Sequence, residues 1–232
     1  EIIKDSQKYI PEFLDDIIEK NISCMQYIKT PNDSLPLFNG ANSLKLPQIE
    51  KYSENFKSIN KNIYFGGLFR IKHKNHFLLI DIDKPPEKKF SKSYQSGPLS
   101  FEYFLDGVKI ITNSGFGNHI SKKTELLSRL TACQSTLTIN ETSITKFEKN
   151  EMINNVFGNS IQNSFKSFDI TTKNETDITG CSATNNGYEK KFGCKHRREI
   201  YLDKKNNYLK GTDHILKAKD GYPIRYAFRF HI

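Results

Sequence analysis

Residues 96–117 read SGPLSFEYFLDGVKIITNSGFG. Two runs flank Asp106-Gly107. In the first, Leu99, Phe101, Tyr103 and Leu105 fall on one face and Ser100, Glu102 and Phe104 on the other. That period of two is the period of a pleated strand. The second run, residues 108–113, is β-branched with one lysine. Asp-Gly between such runs signals a two-residue hairpin, because a type I′ turn needs positive φ at both central residues. The stretch therefore predicts a tight β-hairpin, with Gly115 and Gly117 ending its second strand. A second polar–apolar stretch, RLTACQSTLTIN, follows at residues 129–140. The rest of the chain is expected to hold these two stretches together.

Working outward, the pattern is β from Ile63 onward. Strands are predicted near 64–72, 76–82, 99–105, 108–113, 135–140, 165–171, 177–183, 192–202, 208–216 and 224–232. Residues 83–92 carry Pro85-Pro86 and read as a turn, residues 118–127 as room for a short helix, and residues 204–207 as a second hairpin turn. Many short strands with regular turn signals argue for an antiparallel sandwich. No repeat of propeller or solenoid length is evident. Toward the N-terminus, residues 1–30 read as helix. Pro11 suits a first-turn position, and Phe13, Leu14, Ile17, Ile18, Ile22 and Met25 form a stripe opposite Asp15, Asp16, Glu19 and Lys20. The helix should stop before Pro31, and its stripe needs partners to bury it. Residues 30–58, with Pro31, Pro36, Pro47 and Gly40, read as a pinned linker.

The chain has 232 residues, with 17 Phe, 11 Tyr and no Trp, enough apolar surface to fill a core. It begins at Glu1 and ends at Ile232 inside an apparent strand, so the simplest reading is a fragment continued at both ends. A net charge of +9 suits an anionic partner such as nucleic acid, an acidic glycan or a membrane surface. Much of that charge follows from heavy Lys, Asn and Ile usage, and the lysines are scattered. Without a basic stripe or stacking aromatics a nucleic-acid partner is not indicated. No run approaches the ~20 apolar residues of a membrane span. Cys24, Cys133, Cys181 and Cys194 show no CxxC pair, which disfavours a zinc ribbon or redox motif. Cys181 and Cys194 are either a cross-strand bridge or buried thiols, and buried thiols are favoured.

Two strands carry charge on an identifiable face. In the last, Arg225, Ala227, Arg229 and His231 alternate with Tyr226, Phe228, Phe230 and Ile232. In residues 192–202, Lys195, Arg197 and Tyr201 oppose His196, Arg198 and Ile200. Either charged face lines a cleft for carboxylates or sulfates, or faces solvent. His73 and His76 have metal-like spacing, but on a continuous strand they would face opposite ways, so two exposed turn residues are expected. GxSxG, HExxH, P-loop and GxGxxG signatures are all missing.

Several blocks taken together carry a resemblance. They are GPLSFE at 97–102, IITNSG at 110–115, RLTACQSTLT at 129–138, NGY at 186–188, FGCKHRR at 192–198, LKGTD at 209–213 and RFH at 229–231. In this order they resemble the C-terminal region of the heparinase II/III-like family of bacterial polysaccharide lyases. Residues 11–40, ending LFNG, resemble the last helices before that domain. The resemblance implies a mainly β fold: a large antiparallel β-sandwich preceded by the last helix or helices of an α/α toroid. Residues 1–57 would be the end of the helical domain plus linker, and residues 58–232 the sandwich. It implies β-elimination at a uronic acid, in which a base takes the C5 proton, the carboxylate's developing charge is stabilised, and the 4-O-linked sugar leaves. The proton-transfer tyrosine and one stabiliser would lie on the toroid, so the fragment alone is expected to be inactive.

The same resemblance implies a histidine-containing structural metal site in the sandwich, and here the chain departs from it. Gln95, Asn113 and Gln134 occupy the positions of two imidazoles and a carboxylate. Neutral amides hold Zn²⁺ poorly, so neither a metal nor a cofactor is expected. The three amides either form a hydrogen-bonded network that replaces the metal, which is favoured, or contact sugar hydroxyls. Arg129 is a candidate bidentate partner for a substrate carboxylate, with Arg229, Gln95 and Gln134 as further substrate-binding candidates. His196 and His231 are the catalytic candidates. The partners implied are an acidic polysaccharide, such as a glycosaminoglycan, and the missing helical domain of the same chain. Periplasm or cell envelope is the implied location, with cytoplasm left open. The rival expectation is a catalytically inactive glycan-binding or cell-envelope protein on the same scaffold.

Overall fold

The computed structural model describes residues 11–42, 64–163, 165–217 and 225–232. One antiparallel sheet has the order β1-β2-β3-β4-β5: Tyr64–Phe65, Leu68–His73, His76–Asp81, Phe101–Leu105 and Val108–Ile111. A second has β10-β9-β8-β7, built from Tyr208–Lys217, Cys194–Asp203, Ile178–Asn185 and Ser167–Asn174. A two-stranded ribbon pairs β6 (Leu137–Ile139) with β11 (Tyr226–Phe228). Among the described residues four helices accompany them: α1 (Glu12–Ile28), α2 (Lys122–Ser128), α3 (Glu151–Phe157) and α4 (Glu189–Phe192).

The alternation read around Asp106-Gly107 sorts side chains onto two faces. Leu99 and Phe101 join Phe69, Ile71, Leu78 and Ile80 to meet Cys181, Ala183, Ile200 and Leu202 of the second sheet. On the other face Phe104 packs with Phe77, Leu79, Leu68, Phe38 and Tyr27 of α1. β3 is thus buried along its whole length. Burying a side chain of this size is worth about 1.5–3 kcal/mol, so both clusters contribute substantially to the stability of the domain. The hairpin closes as expected: Leu105 pairs with Val108, and φ is +52° at Asp106 and +78° at Gly107.

Several boundaries differ from the reading of the sequence. The strand expected at 64–72 is two, because Gly66 and Gly67 both take positive φ and fold β1 back on β2. The second hairpin strand leaves the sheet after Ile111, following a register shift at Tyr103/Phe104, and Thr112 bridges His231 instead. The last strand is three residues long for the same reason: its end serves that bridge rather than a continuous ladder. Pro11 sits immediately before the first helical residue, and residues 1–10 and 43–63 of the expected helix and linker lie outside the described residues. Only the C-terminal half of the helical stripe is covered: Ile22 and Tyr27 are buried, whereas Phe13, Ile17 and Ile18 are exposed. All four cysteines are free thiols, and Cys181 and Cys194 lie in different clusters.

Candidate functional site

The two quoted stretches and the residues just before them are joined by side-chain amides. The Nε2 amides of Gln95 and Gln134 both donate to the Ser128 carbonyl, at 3.2 and 2.8 Å. Gln95 also donates to the Gly115 carbonyl at 3.0 Å and accepts from the Gly40 N–H at 3.2 Å. Asn113 Oδ1 accepts from the Ser135 N–H at 2.8 Å, while its Nδ2 is buried without a partner among the described residues. Gly97 permits this approach, since a Cβ there would stand 2.8 Å from Gln134 Cγ. Gln95 and Gln134 point N–H donors at a shared oxygen, and Asn113 leaves a donor unpaired. That donor set does not fit a cation.

Their shared carbonyl belongs to the last turn of α2. This short helix begins with Ser121, whose side chain accepts from the Thr124 N–H. Arg129, next after the helix, is fully buried and donates to the carbonyls of Tyr94, Asn159 and Ser91 at 2.7–2.8 Å. Its guanidinium lies 4.1 Å from the Phe147 ring centre, and burial lowers its pKa to about 10. The expectation of a free fork for a substrate carboxylate does not fit this side chain, because its donors are spent on the interior.

The amides and Arg129 brace one wall of a groove of about 1290 Å³ between α2 and residues 145–162. Lys92, Lys122, Lys146 and Lys149 line it against Glu125 and Glu148. The scattered lysines of the sequence converge here, across three segments that sequence spacing does not connect.

Charged residues of β9 brace the sandwich itself. Arg198 donates Nε and Nη2 to Asp213 at 2.7 and 3.0 Å, and Nη1 to the Leu99 and Ser135 carbonyls. His196 Nε2 lies 2.7 Å from the same Asp213 oxygen, and its Nδ1 faces Asn185 at 3.4 Å. Burial pushes the His196 pKa down against the pull of that carboxylate. For Asp213, burial acts to raise the pKa, but hydrogen bonds from His196 and Arg198 hold it at about 2. The catalytic candidate His196 is therefore a buried ring with both nitrogens engaged. His231 is half-buried, its carbonyl accepting from the Thr112 N–H and its Nε2 without a partner among the described residues. Arg229 is half-buried beside β6, with Nε 3.4 Å from Thr138 Oγ1.

One group escaped the sequence reading. Asp81, at the end of β3, lies at the floor of a second cleft of about 300 Å³ with Asn39, Gly67, Asp83 and Ser93. Burial lifts its carboxyl to about 7, opposed by hydrogen bonds from Asp83 N–H and Asn39. A cleft carboxyl that titrates near neutrality suits proton transfer. Its signal was an acidic residue at an apolar-face position of LLIDID.

Two antiparallel sheets packed face to face, helix on the outer face and polar struts at one end, define a β-sandwich domain. Residues 61–232 match the family described as Heparinase II/III-like, C-terminal, and the chain belongs to that family. No curated protein matches it. Among solved structures, heparan sulfate lyase HepC from Pedobacter heparinus, as a mutant, is similar with a TM-score of 0.65 and 18% identity. That match covers 90% of this chain and 34% of the lyase. A heparinase III gene product matches with a TM-score of 0.68 and 16% identity, over 91% of this chain and 34% of that one. The likeness shows the fold. The chain spans about a third of the length of these structures.

Proposed function

We propose that this chain is the sandwich part of a heparinase-like lyase and supplies a binding wall for a uronic-acid-containing anionic polysaccharide. The observation that carries this reading is the groove rimmed by four lysines and braced by the residue-95 and residue-134 amides. Carboxylates and sulfates along a glycan present the complementary charge. In β-elimination the C5–H bond breaks to a base, the electrons form the C4–C5 double bond, and the C4–O bond breaks with a proton passed to the leaving oxygen. The groups that move those protons are assigned to a helical domain ahead of residue 58. The uncovered Phe13, Ile17 and Ile18 of α1 support such a neighbour. Arg229, half-buried at the β6–β11 ribbon, remains a candidate for substrate contact. Gln95, Gln134 and Arg129 act as braces in this reading. A periplasmic or envelope location follows from the proposed substrate. Among the described residues no helix is long and apolar enough to cross a membrane.

The test uses the longer polypeptide containing these residues, incubated with heparan sulfate and alginate. Growth of unsaturated-uronate absorbance is the expected result. Binding without that absorbance would instead favour an inactive glycan-binding protein on the same scaffold, a reading that the amides at positions 95 and 134 support. Neither binding nor turnover would contradict both.

A further inference from the structure

The inner face of the first sheet does not end in apolar side chains. His73 and His76 continue the rows of Phe69–Ile71 and Leu78–Ile80 that form the sandwich core. They are also register partners across the two-residue turn Lys74-Asn75. The expectation that they face opposite ways in an exposed turn is therefore corrected: opposed residues of an antiparallel pair project to the same face, with Cβ atoms about 4.5–5.5 Å apart. His76 is 6% exposed, and its Nδ1 lies 2.8 Å from the Tyr103 hydroxyl, with the two rings stacked. The Nε2 atoms of both histidines are buried and have no hydrogen-bond partner among the described residues.

An unpaired buried N–H is costly, so a Tyr103 oxygen accepting from Nδ1–H leaves the Nε2 lone pair free. A hydrogen bond at one ring nitrogen that presents the other is the usual setting of a ligating imidazole. Asn207, from the β9–β10 turn, closes over the same hairpin. Its Nδ2 donates to Asn75 Oδ1 at 3.0 Å, and its own Oδ1 is buried without a partner among the described residues. Three buried polar atoms without partners among the described residues thus belong to two hairpins that the Asn207–Asn75 hydrogen bond joins.

We propose that His73 and His76 form a binding site for a borderline divalent transition metal of the zinc class, through their Nε2 atoms. Among the described residues no group of three His, Cys, Asp or Glu side chains could hold a metal ion. The coordination shell is therefore completed by Asn207 Oδ1 or water. His73 as a residue is half-buried, with its Nε2 turned inward.

The experiment titrates zinc chloride into chelator-stripped chain by calorimetry, with circular dichroism to check folding. Saturable uptake of one ion per chain is expected, lost in His73→Ala and in His76→Ala. Tyr103→Phe should weaken it by about tenfold, as for loss of a hydrogen bond behind a ligand. If His76→Ala does not fold, His73→Asn at the half-buried position carries the test. Absence of saturable uptake, or uptake retained in the folded histidine variants, would overturn the proposal. Uptake lost only in Gln134→Ala would also overturn it, by moving the metal to the amide seam.

Discussion

Arg198 shows how one side chain fixes the geometry of both sheets. It sits on β9, yet its donors reach the chain before β4, the chain before β6 and Asp213 on β10. Removing Asp213 leaves that buried guanidinium without its counter-charge, which typically costs about 3–5 kcal/mol. Asp213→Asn should therefore lower the urea midpoint markedly, and an unchanged midpoint would contradict the strut role. Asp81 predicts an effect of the opposite sign. Folded Asp81 keeps its proton until about pH 7, whereas the ordinary value is 3.8. Between these limits the folded state binds more protons, so this group's contribution is fully favourable below the lower limit and is lost as pH rises toward the upper. Asp81→Asn should thus stabilise the chain by about 1–3 kcal/mol above neutrality, and hardly at all at the acid end of the window. Equal gains at both ends in urea unfolding would refute the assignment.

At the scale of elements, the hairpin at 101–111 was legible because Asp106-Gly107 and the alternation around it carry local information. The cost of that turn can be measured. A Cβ at Gly107 would meet nothing within 4 Å, so Gly107→Ala tests conformation alone. A loss of about 1–2 kcal/mol in denaturant unfolding is expected, and no loss would argue against the left-handed turn. The Gly66-Gly67 reversal was equally local and went unread, because an apolar run on both sides looked like one strand. The β9–β10 hairpin followed from the turn at residues 204–207, but α3 did not follow from local signals, since its start depends on Asn150 capping the Met152 and Ile153 amides in an otherwise irregular segment. The roles of Arg129 and His196 were not legible at all. Nothing in their neighbours indicates that the partners are carbonyls and a carboxylate many residues away. For His73 and His76 the spacing and a turn were both read, but not that the two residues pair across that turn, and the pairing decides which way the rings point.

The whole molecule is a braced slab with one face partly covered by α1 and a cationic groove along α2. Gln95, Gln134 and Arg129 hold the groove wall, and Lys92, Lys122, Lys146 and Lys149 give it charge. Surface attraction of this kind is screened by salt over about 8–10 Å, so binding of an anionic glycan should weaken steeply as salt rises. The most direct measurement is the affinity of the chain for a defined heparan sulfate oligosaccharide, compared with the Lys92→Glu, Lys146→Glu, Lys149→Glu triple variant. The account predicts saturable binding at low salt that the folded triple variant loses. Equal affinity in both proteins, or no binding by either, would contradict it.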